Sequence, residues 1–186
     1  MKNLLQLPTK TLFHIFWLPS YAGLLSFLLI FILKAIGFSF GTYFFISVFI
    51  LLALFSVLIS ITWDFALGKA LFIKTILNEA RSTLLFNIYV LCVLAPLVII
   101  PLFIYSLINF KLSTSYGKII FILLILLVIV IKGFRGYFLF KRLSILEGAD
   151  RLTFKEKVTG AYQFAHFQFN INHLYPRIKY ALSKEN

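Results

Sequence analysis

The sequence predicts an all-α membrane protein, a polytopic bundle of about four transmembrane helices. The first observation is composition, since 61% of the residues are hydrophobic and only 13% are charged. A soluble domain is about 45–50% apolar and about 25% charged, and a soluble fold of 186 residues could not bury the excess apolar surface. The second observation is that the apolar residues form separate runs close to the ~20 residues that a spanning helix needs. The third is that cations flank these runs.

The first two spans are predicted at residues 12–33 and 41–62. Pro19 lies near the start of the first run, so it should kink that helix or mark where the helix begins. The run continues through Leu33 without a small-residue cleavage site, and we therefore expect a retained helix rather than a cleaved signal peptide. The second run carries no charge at all.

The third span is predicted at residues 84–108 and contains Pro96 and Pro101. Each proline removes a backbone donor, so this helix should be bent, and the freed carbonyl groups could face a cavity. A conduction or gating role is one interpretation, and a bent span with no transport role is the other. Both prolines are candidate functional residues.

The fourth span is predicted at residues 119–140. Its uncharged core extends only from Ile119 to Ile131, which is shorter than a bilayer requires. The helix must therefore continue past Lys132, with the side chains of Lys132 and Arg135 reaching towards the membrane surface.

The distribution of Lys and Arg predicts that both termini are cytoplasmic. Two cations precede the first span, three lie between the second and third, and ten follow from Lys132 onwards. The opposite side receives one cation between the first two spans and two between the last two. The positive-inside rule places the cation-rich side in the cytoplasm. The abundance of Ile, Phe, Lys and Asn favours a bacterial inner membrane, with an endomembrane as the alternative.

Residues 65–81 are predicted to form an amphipathic helix in the cytoplasmic interface, because apolar residues recur there with a spacing near 3.6. This helix is either a plain connection between two spans or a surface that contacts lipid or a partner. The candidate contact residues are Lys69, Lys74 and Arg81.

The transmembrane region, residues 1–140, is followed by a basic cytoplasmic segment, residues 141–186. This segment holds aromatic side chains among polar ones, of which Phe164, Phe167 and Phe169 are candidates for contact with a partner or with lipid. An interfacial helix or a packed tail is favoured over a short strand. A solvated tail with aromatic anchors and a docking segment for a partner subunit both stay open. Pro176 should end any helix before it.

Few groups in or near the predicted spans could support catalysis or proton transfer. Asp64 is a candidate functional residue at the cytoplasmic end of the second span, where an ion pair or a helix cap is favoured over a proton relay. His166 and His173 would share a face of a continuous helix, but no nearby Cys or carboxylate completes a metal site. Nucleotide-binding, metalloprotease and serine-hydrolase motifs are absent from the sequence. We expect no catalytic site, no cofactor and no bound metal.

The order of features in residues 64–145 resembles the Yip1-like membrane proteins. The stretch ALGKALFIKTILNEA is similar to a short glycine-containing amphipathic segment after a span, and LFNIYVLCVLAPLVIIPLFIYSLI to a long span with a proline in its middle. YFLFKRLSILEGA resembles the family's exit from the following span. That family usually continues into a fifth span, whereas this chain turns polar after Glu147. The resemblance implies a non-enzymatic role in membrane organisation or trafficking, exerted through partner proteins.

The expected function is that of a non-enzymatic scaffold or accessory subunit of a membrane complex, because the predicted spans hold no cluster of polar groups. The alternative is a transport subunit for a small or lipidic substrate that uses the bent third span. Expected partners are membrane lipids, including anionic headgroups, and either another membrane protein or further copies of the chain. The net charge of +12 does not indicate nucleic acid, because the cations flank apolar runs.

Overall fold

The protein is described here from a computed structural model, which defines residues 7–75, 80–109, 115–149 and 152–183. Within these ranges the regular secondary structure is all α-helix, with no strand, which confirms the predicted all-α class. The helices are α1 (Thr9–Ala35), α2 (Ser39–Thr75), α3 (Ala80–Leu94), α4 (Pro96–Asn109), α5 (Ser115–Leu146), α6 (Phe154–Ala165) and α7 (Phe167–Ser183).

Among the described residues, four stretches are long and apolar enough to cross a membrane. They are Thr9–Ala35, Phe44–Thr75, Thr83–Leu102 and Lys118–Leu146. Helices and closed β-barrels satisfy every backbone hydrogen bond inside lipid, and these stretches are consistent with an integral membrane protein. The predicted number of helices able to span a membrane is therefore confirmed, while their orientation stays a prediction.

The first helix is longer than predicted and contains Pro19 in its interior. The alternative that Pro19 marks the start of the helix is wrong, because α1 begins at Thr9 and the N–H of Leu12 already donates to the carbonyl of Pro8 at 3.0 Å. The chain leaves α1 through a turn at Gly37, whose φ of 75° is a left-handed conformation that glycine adopts without strain.

The second helix does not stop where the second span was predicted to end. It runs without interruption for 37 residues to Thr75, or about 55 Å at 1.5 Å per residue, against a hydrocarbon layer of about 30 Å. The predicted separate interfacial helix at 65–81 is thus corrected: its first part continues α2, since no proline intervenes. Residues 76–79 lie outside the described ranges, and α3 begins at Ala80.

The predicted third span is interrupted just before Pro96, where the single residue Ala95 separates α3 from α4. Pro96 is the first residue of α4, a position where the missing N–H is not needed for a helical hydrogen bond. The carbonyl of Ala95 instead accepts from the N–H groups of Val98 at 3.0 Å and Ile99 at 2.9 Å. Pro101 lies inside α4 without interrupting it.

The chain separates into two compact units, residues 1–64 and 65–186, and the boundary falls inside α2. In the first unit the rings of Phe16 and Trp63 meet edge to face at 5.9 Å, and those of Phe27 and Phe49 at 6.0 Å. In the second unit the buried side chains lie on the end of α2, on α3 and α4, on the second half of α5 and on α6 and α7. The predicted domain boundary at 140/141 falls within α5.

The middles of the predicted spans form less of a packed core than a bundle implies. No residue of the most apolar part of α2, and only 6% of that of α5, is buried within the chain. Burial increases instead in the part of α5 that follows Lys132, where Phe138, Leu139 and Leu143 are enclosed. The apolar middle of each of these two helices is therefore little buried in the structure, and apolar groups must cover it.

The close approach of α5 and α6 depends on two glycines. A Cβ atom at Gly136 would overlap the backbone of Ala161 and Ala165, and one at Gly160 would overlap the ring of Phe140. The two backbones can thus approach more closely than side chains would permit, as in other helix pairs with small residues at the contact. This contact positions the whole C-terminal part of the chain on α5.

The C-terminal segment is helical and packed, not strand-like. The expectation that Pro176 ends a helix is wrong, because Pro176 lies inside α7. Burial explains the difference: Leu174 precedes the proline, Ile178 and Ala181 follow it, and all three are enclosed on one face. Packing on both sides of Pro176 compensates for the hydrogen bond that a proline in a helix removes.

Candidate functional site

The most unusual side chain of the second unit is Arg142, which is buried although it carries a charge. Its guanidinium carbon lies 5.4 Å from the ring centroids of both Phe72 and Phe138. Its Nη1 donates a hydrogen bond to Thr75 Oγ1 at 3.2 Å, and the Thr75 hydroxyl donates to the carbonyl of Leu71 at 2.8 Å. These contacts offset the cost of removing a cation from water, since cation–π attraction is strongest where water is excluded.

The rings that hold Arg142 belong to a continuous aromatic stack. Phe72 stacks on Phe86 with centroids 4.3 Å apart and an interplanar angle of 9°, and Tyr89 stacks on Phe138 at 4.4 Å and 19°. Phe86 and Tyr89 lie 6.2 Å apart and complete the path from α2 to α5. Gly68 makes room for it, because a Cβ atom there would overlap the ring of Tyr89. We call these residues the arginine cluster: Phe72, Thr75, Phe86, Tyr89, Phe138 and Arg142.

The arginine cluster stabilises the contact between helices and shows no arrangement for catalysis. A guanidinium group binds carboxylates and phosphates well, but here two aromatic rings lie against it and a threonine hydroxyl accepts from it. The cluster contains no carboxylate, histidine or cysteine that could act with the guanidinium as an acid, base or nucleophile. Its geometry joins the end of α2, α3 and α5 into one packed region.

An apolar groove of about 310 Å³ lies between α4 and α5. Ile99 and Ile100 form one wall, directly after the break at Pro96. The other wall belongs to the part of α5 that precedes Lys132, and its residues are Leu124, Ile125, Val128 and Ile129. A groove lined only by aliphatic side chains can accept an acyl chain or another apolar group, and it offers no hydrogen bond to a polar ligand.

The predicted candidates of the spans are dispersed among several places. Asp64 is buried in α2, at the end of the first unit. Pro96 and Pro101 both lie in α4, and only Pro96 stands at a helix break. Among the predicted cationic contacts, Lys69 is exposed and Lys74 is half-buried. The side chain of Arg81 lies outside the described part of the structure.

The three aromatic candidates of the C-terminal segment have different environments. Phe164 and Phe167 are 3% and 6% exposed, respectively, and stack on each other at 6.4 Å. Phe169 is 61% exposed. In this structure only Phe169 is available to a partner or to lipid, while Phe164 and Phe167 stabilise the packed segment.

The histidines do not form the shared face that a continuous helix would give them. His166 ends α6 as its C-terminal cap, whereas His173 lies on α7, so the two are separated by a helix boundary. His166 contacts the ring of Tyr162 at 4.6 Å. Across the described ranges, no group of three or more His, Cys, Asp or Glu residues could hold a metal ion.

Two polar contacts hold the C-terminal helices at their ends. Arg177 donates to Glu147 through Nε at 2.9 Å and through Nη2 at 2.6 Å, which joins α7 to the turn after α5. The hydrogen bond to Glu147 raises the pKa of Arg177. At the start of α6, the N–H of Thr153 donates to Glu156 Oε2 at 2.7 Å, and the N–H of Glu156 donates to Thr153 Oγ1 at 3.3 Å. This is a reciprocal capping box.

The capping box gives α6 a pH dependence. Hydrogen bonds from the backbone and the hydroxyl of Thr153 lower the pKa of Glu156, so its contribution is present above the pKa of the unfolded chain and is lost as the pH falls through the lower folded value. We expect Thr153→Ala to increase amide exchange in the first turn of α6 roughly fivefold. Lowering the pH from 6 to 3 should destabilise the first turn of α6 in the native chain, and Glu156→Gln should remove this pH dependence. Hydrogen exchange of the amides in that turn measures both. Equal pH profiles for Glu156→Gln and the native chain would contradict this assignment.

The arginine cluster was not predicted from the sequence as a unit, although the spacing of its residues along each helix is consistent with it. Phe138 and Arg142 are four residues apart on α5, and Phe72 and Thr75 are three apart on α2, which are the separations that bring side chains together on a helix. What the spacing could not show is that these two helix faces meet. No protein-family model, no curated protein and no solved structure matches the chain. The resemblance to Yip1-like proteins therefore gains no support from them and stays a prediction.

Proposed function

We propose that the chain is a non-enzymatic multi-pass membrane protein that acts as a scaffold or accessory subunit of a membrane complex. The observation that supports this most is the contrast between the two ends of α5. Beyond Lys132 the helix is enclosed by other parts of the chain, whereas Leu123, Leu126 and Val130 before it are exposed. An enzyme or channel that works alone would bury its catalytic or conducting groups along the middle of such a helix. An accessory subunit instead presents an apolar helix surface to lipid and to other proteins.

The surface of α2 supports the same proposal. Leu51, Leu54, Phe55 and Leu58 follow one another at the spacing of a single helix face, and each is about half exposed or more. Helices associate in a membrane through the fit of such faces, because lipid tails provide no hydrophobic drive between them. We propose that this face contacts a partner membrane protein or a second copy of the chain, within a membrane whose cytoplasmic side holds both termini.

Photocrosslinking in intact membranes tests the accessory-subunit proposal. A photoreactive residue at Leu51 or at Phe169 is expected to give one dominant protein adduct, identified by mass spectrometry, because both side chains are more than 60% exposed. The same residue at Phe167, which is buried, is the matched control and should give products only within the chain. Adducts with lipid alone at both exposed positions would count against the proposal.

The groove between α4 and α5 favours a second candidate, a transport subunit for a lipidic substrate. The groove is lined only by aliphatic side chains, of which Ile99 and Ile100 follow Pro96 within one turn of α4, and such a lining suits an acyl chain. We expect Ile125→Trp, which fills the groove, to abolish flux of a fluorescent phospholipid in vesicles, and Pro96→Ala to change that flux. Asp64→Asn tests the participation of the buried carboxylate. Leu126→Trp on the exposed surface of α5 is the control, and an unchanged flux in all the variants would exclude this candidate.

A further inference from the structure

Helix α6 has two apolar faces, and the packing on α5 uses only one of them. Gly160 and Phe164 are buried in that contact. Phe154, Val158 and Tyr162 follow at intervals of four residues and are 82%, 52% and 64% exposed. At 100° per residue this second face is centred about 140° from the buried one. It is a coherent stripe, which we call the exposed stripe of α6.

The charged side chains of α6 nearest to the exposed stripe are positive. On the helical projection, Lys155 lies about 60° from the centre of the stripe on one side, and the half-buried Lys157 about 100° from it on the other. The single carboxylate of the helix, Glu156, projects from the opposite side of α6 and accepts hydrogen bonds from the Thr153 backbone and hydroxyl. An aromatic and aliphatic stripe with a lysine on either side suits a helix that lies at a membrane surface.

The position of α6 along α5 places α6 near the edge of the hydrocarbon layer of the membrane. The uncharged run from Ile119 to Ile131 is thirteen residues, or about 20 Å, whereas the hydrocarbon layer is about 30 Å thick. The apolar span begins at Lys118 and continues to Leu146, so we place the edge of that layer beyond Ile131. Gly136, where the backbone of α6 crosses, is five residues further along the same helix, or about 8 Å.

We infer that α6 is an interfacial helix whose exposed stripe, Phe154, Val158 and Tyr162, inserts at the boundary between the acyl chains and the headgroups of anionic phospholipids. Lys155 and Lys157 contact the phosphate groups, and the packing of Gly136 against Ala161 and Ala165 keeps α6 beside α5. This inference rests on α5 crossing the bilayer and is independent of the scaffold or transport proposal. It specifies which helix of the C-terminal segment, where an interfacial helix was one of the predictions, lies at the membrane surface.

The test compares two adjacent residues of α6 in the full-length protein. In a Cys92→Ala background, Val158→Cys and Thr159→Cys are each labelled with an environment-sensitive fluorophore, and the protein is reconstituted into vesicles of phosphatidylcholine with phosphatidylglycerol. Both residues are exposed, but Thr159 lies about 100° away from the stripe. We expect the label at position 158 to be quenched by lipids with a shallow spin label, and the label at 159 by aqueous iodide.

The role of the cations is tested in the same vesicles. Lys155→Glu with Lys157→Glu should reduce lipid quenching at position 158 to the level seen at 159, and Lys179→Glu on α7 should leave it unchanged. Iodide quenching of both labels alike would overturn the inference, because the stripe would then face water. Protection of position 158 from both quenchers would also overturn it and would show that protein covers the stripe.

Discussion

Gly136→Leu is expected to detach α6 from α5 and to destabilise the C-terminal part of the chain by about 3 kcal/mol, the upper end of the range for overpacked contacts. The group in the way is backbone, since a Cβ at Gly136 would overlap the carbonyl of Ala161 and the amide of Ala165. Backbone in the middle of a helix cannot rotate aside as a side chain can. Urea-induced unfolding in mild detergent, and trypsin cleavage before α6, measure the effect.

Gly133→Leu is the matched control for this prediction. Gly133 lies on the same helix nearly one turn earlier, and nothing lies within 4 Å of a Cβ atom placed there. The two substitutions are identical in chemistry, so they share any change in helix propensity. If Gly133→Leu destabilises the chain as much as Gly136→Leu, the close contact between α5 and α6 does not hold the C-terminal segment.

Arg142→Ala is expected to cost about 2–4 kcal/mol, because it removes two desolvated cation–π contacts and a charged hydrogen bond at once. The loss should appear as earlier unfolding of the region that joins α2, α3 and α5, monitored by hydrogen exchange in Phe86–Tyr89 and in Phe138. Arg142→Lys should recover less than half of the loss. A lysine keeps the charge but not the planar group that two rings can enclose.

Lys141→Ala distinguishes the buried cation from a general effect of charge. Lys141 precedes Arg142 on α5 and is exposed, so its removal should change stability by less than about 0.5 kcal/mol. If Arg142→Ala lowers the stability no more than Lys141→Ala does, the arginine cluster does not stabilise the contact between α2, α3 and α5. Full recovery by Arg142→Lys would show that charge alone matters and that the ring contacts do not.

The C-terminal segment shows where inference from the sequence reached its limit. Phe164, Phe167 and Phe169 are the same residue type in similar surroundings along the chain, yet the first two are buried and the third is exposed. Phe167 and Phe169 are two residues apart on α7, so they lie on opposite sides of that helix. Which of the two sides is buried depends on the faces that pack against it, and a local pattern does not carry that information.

The sequence by itself determined that this protein is all-helical and has four helices able to cross a membrane. The reason is physical: in lipid each backbone hydrogen bond must be satisfied locally, so long apolar runs leave no choice but helix. Only the tertiary structure decided that α2 continues to Thr75, that Pro176 lies inside a helix and that Arg142 is enclosed between aromatic rings. These outcomes depend on which helix faces meet, and the meeting is set by contacts such as that of Gly136 with Ala161, between residues distant in the chain.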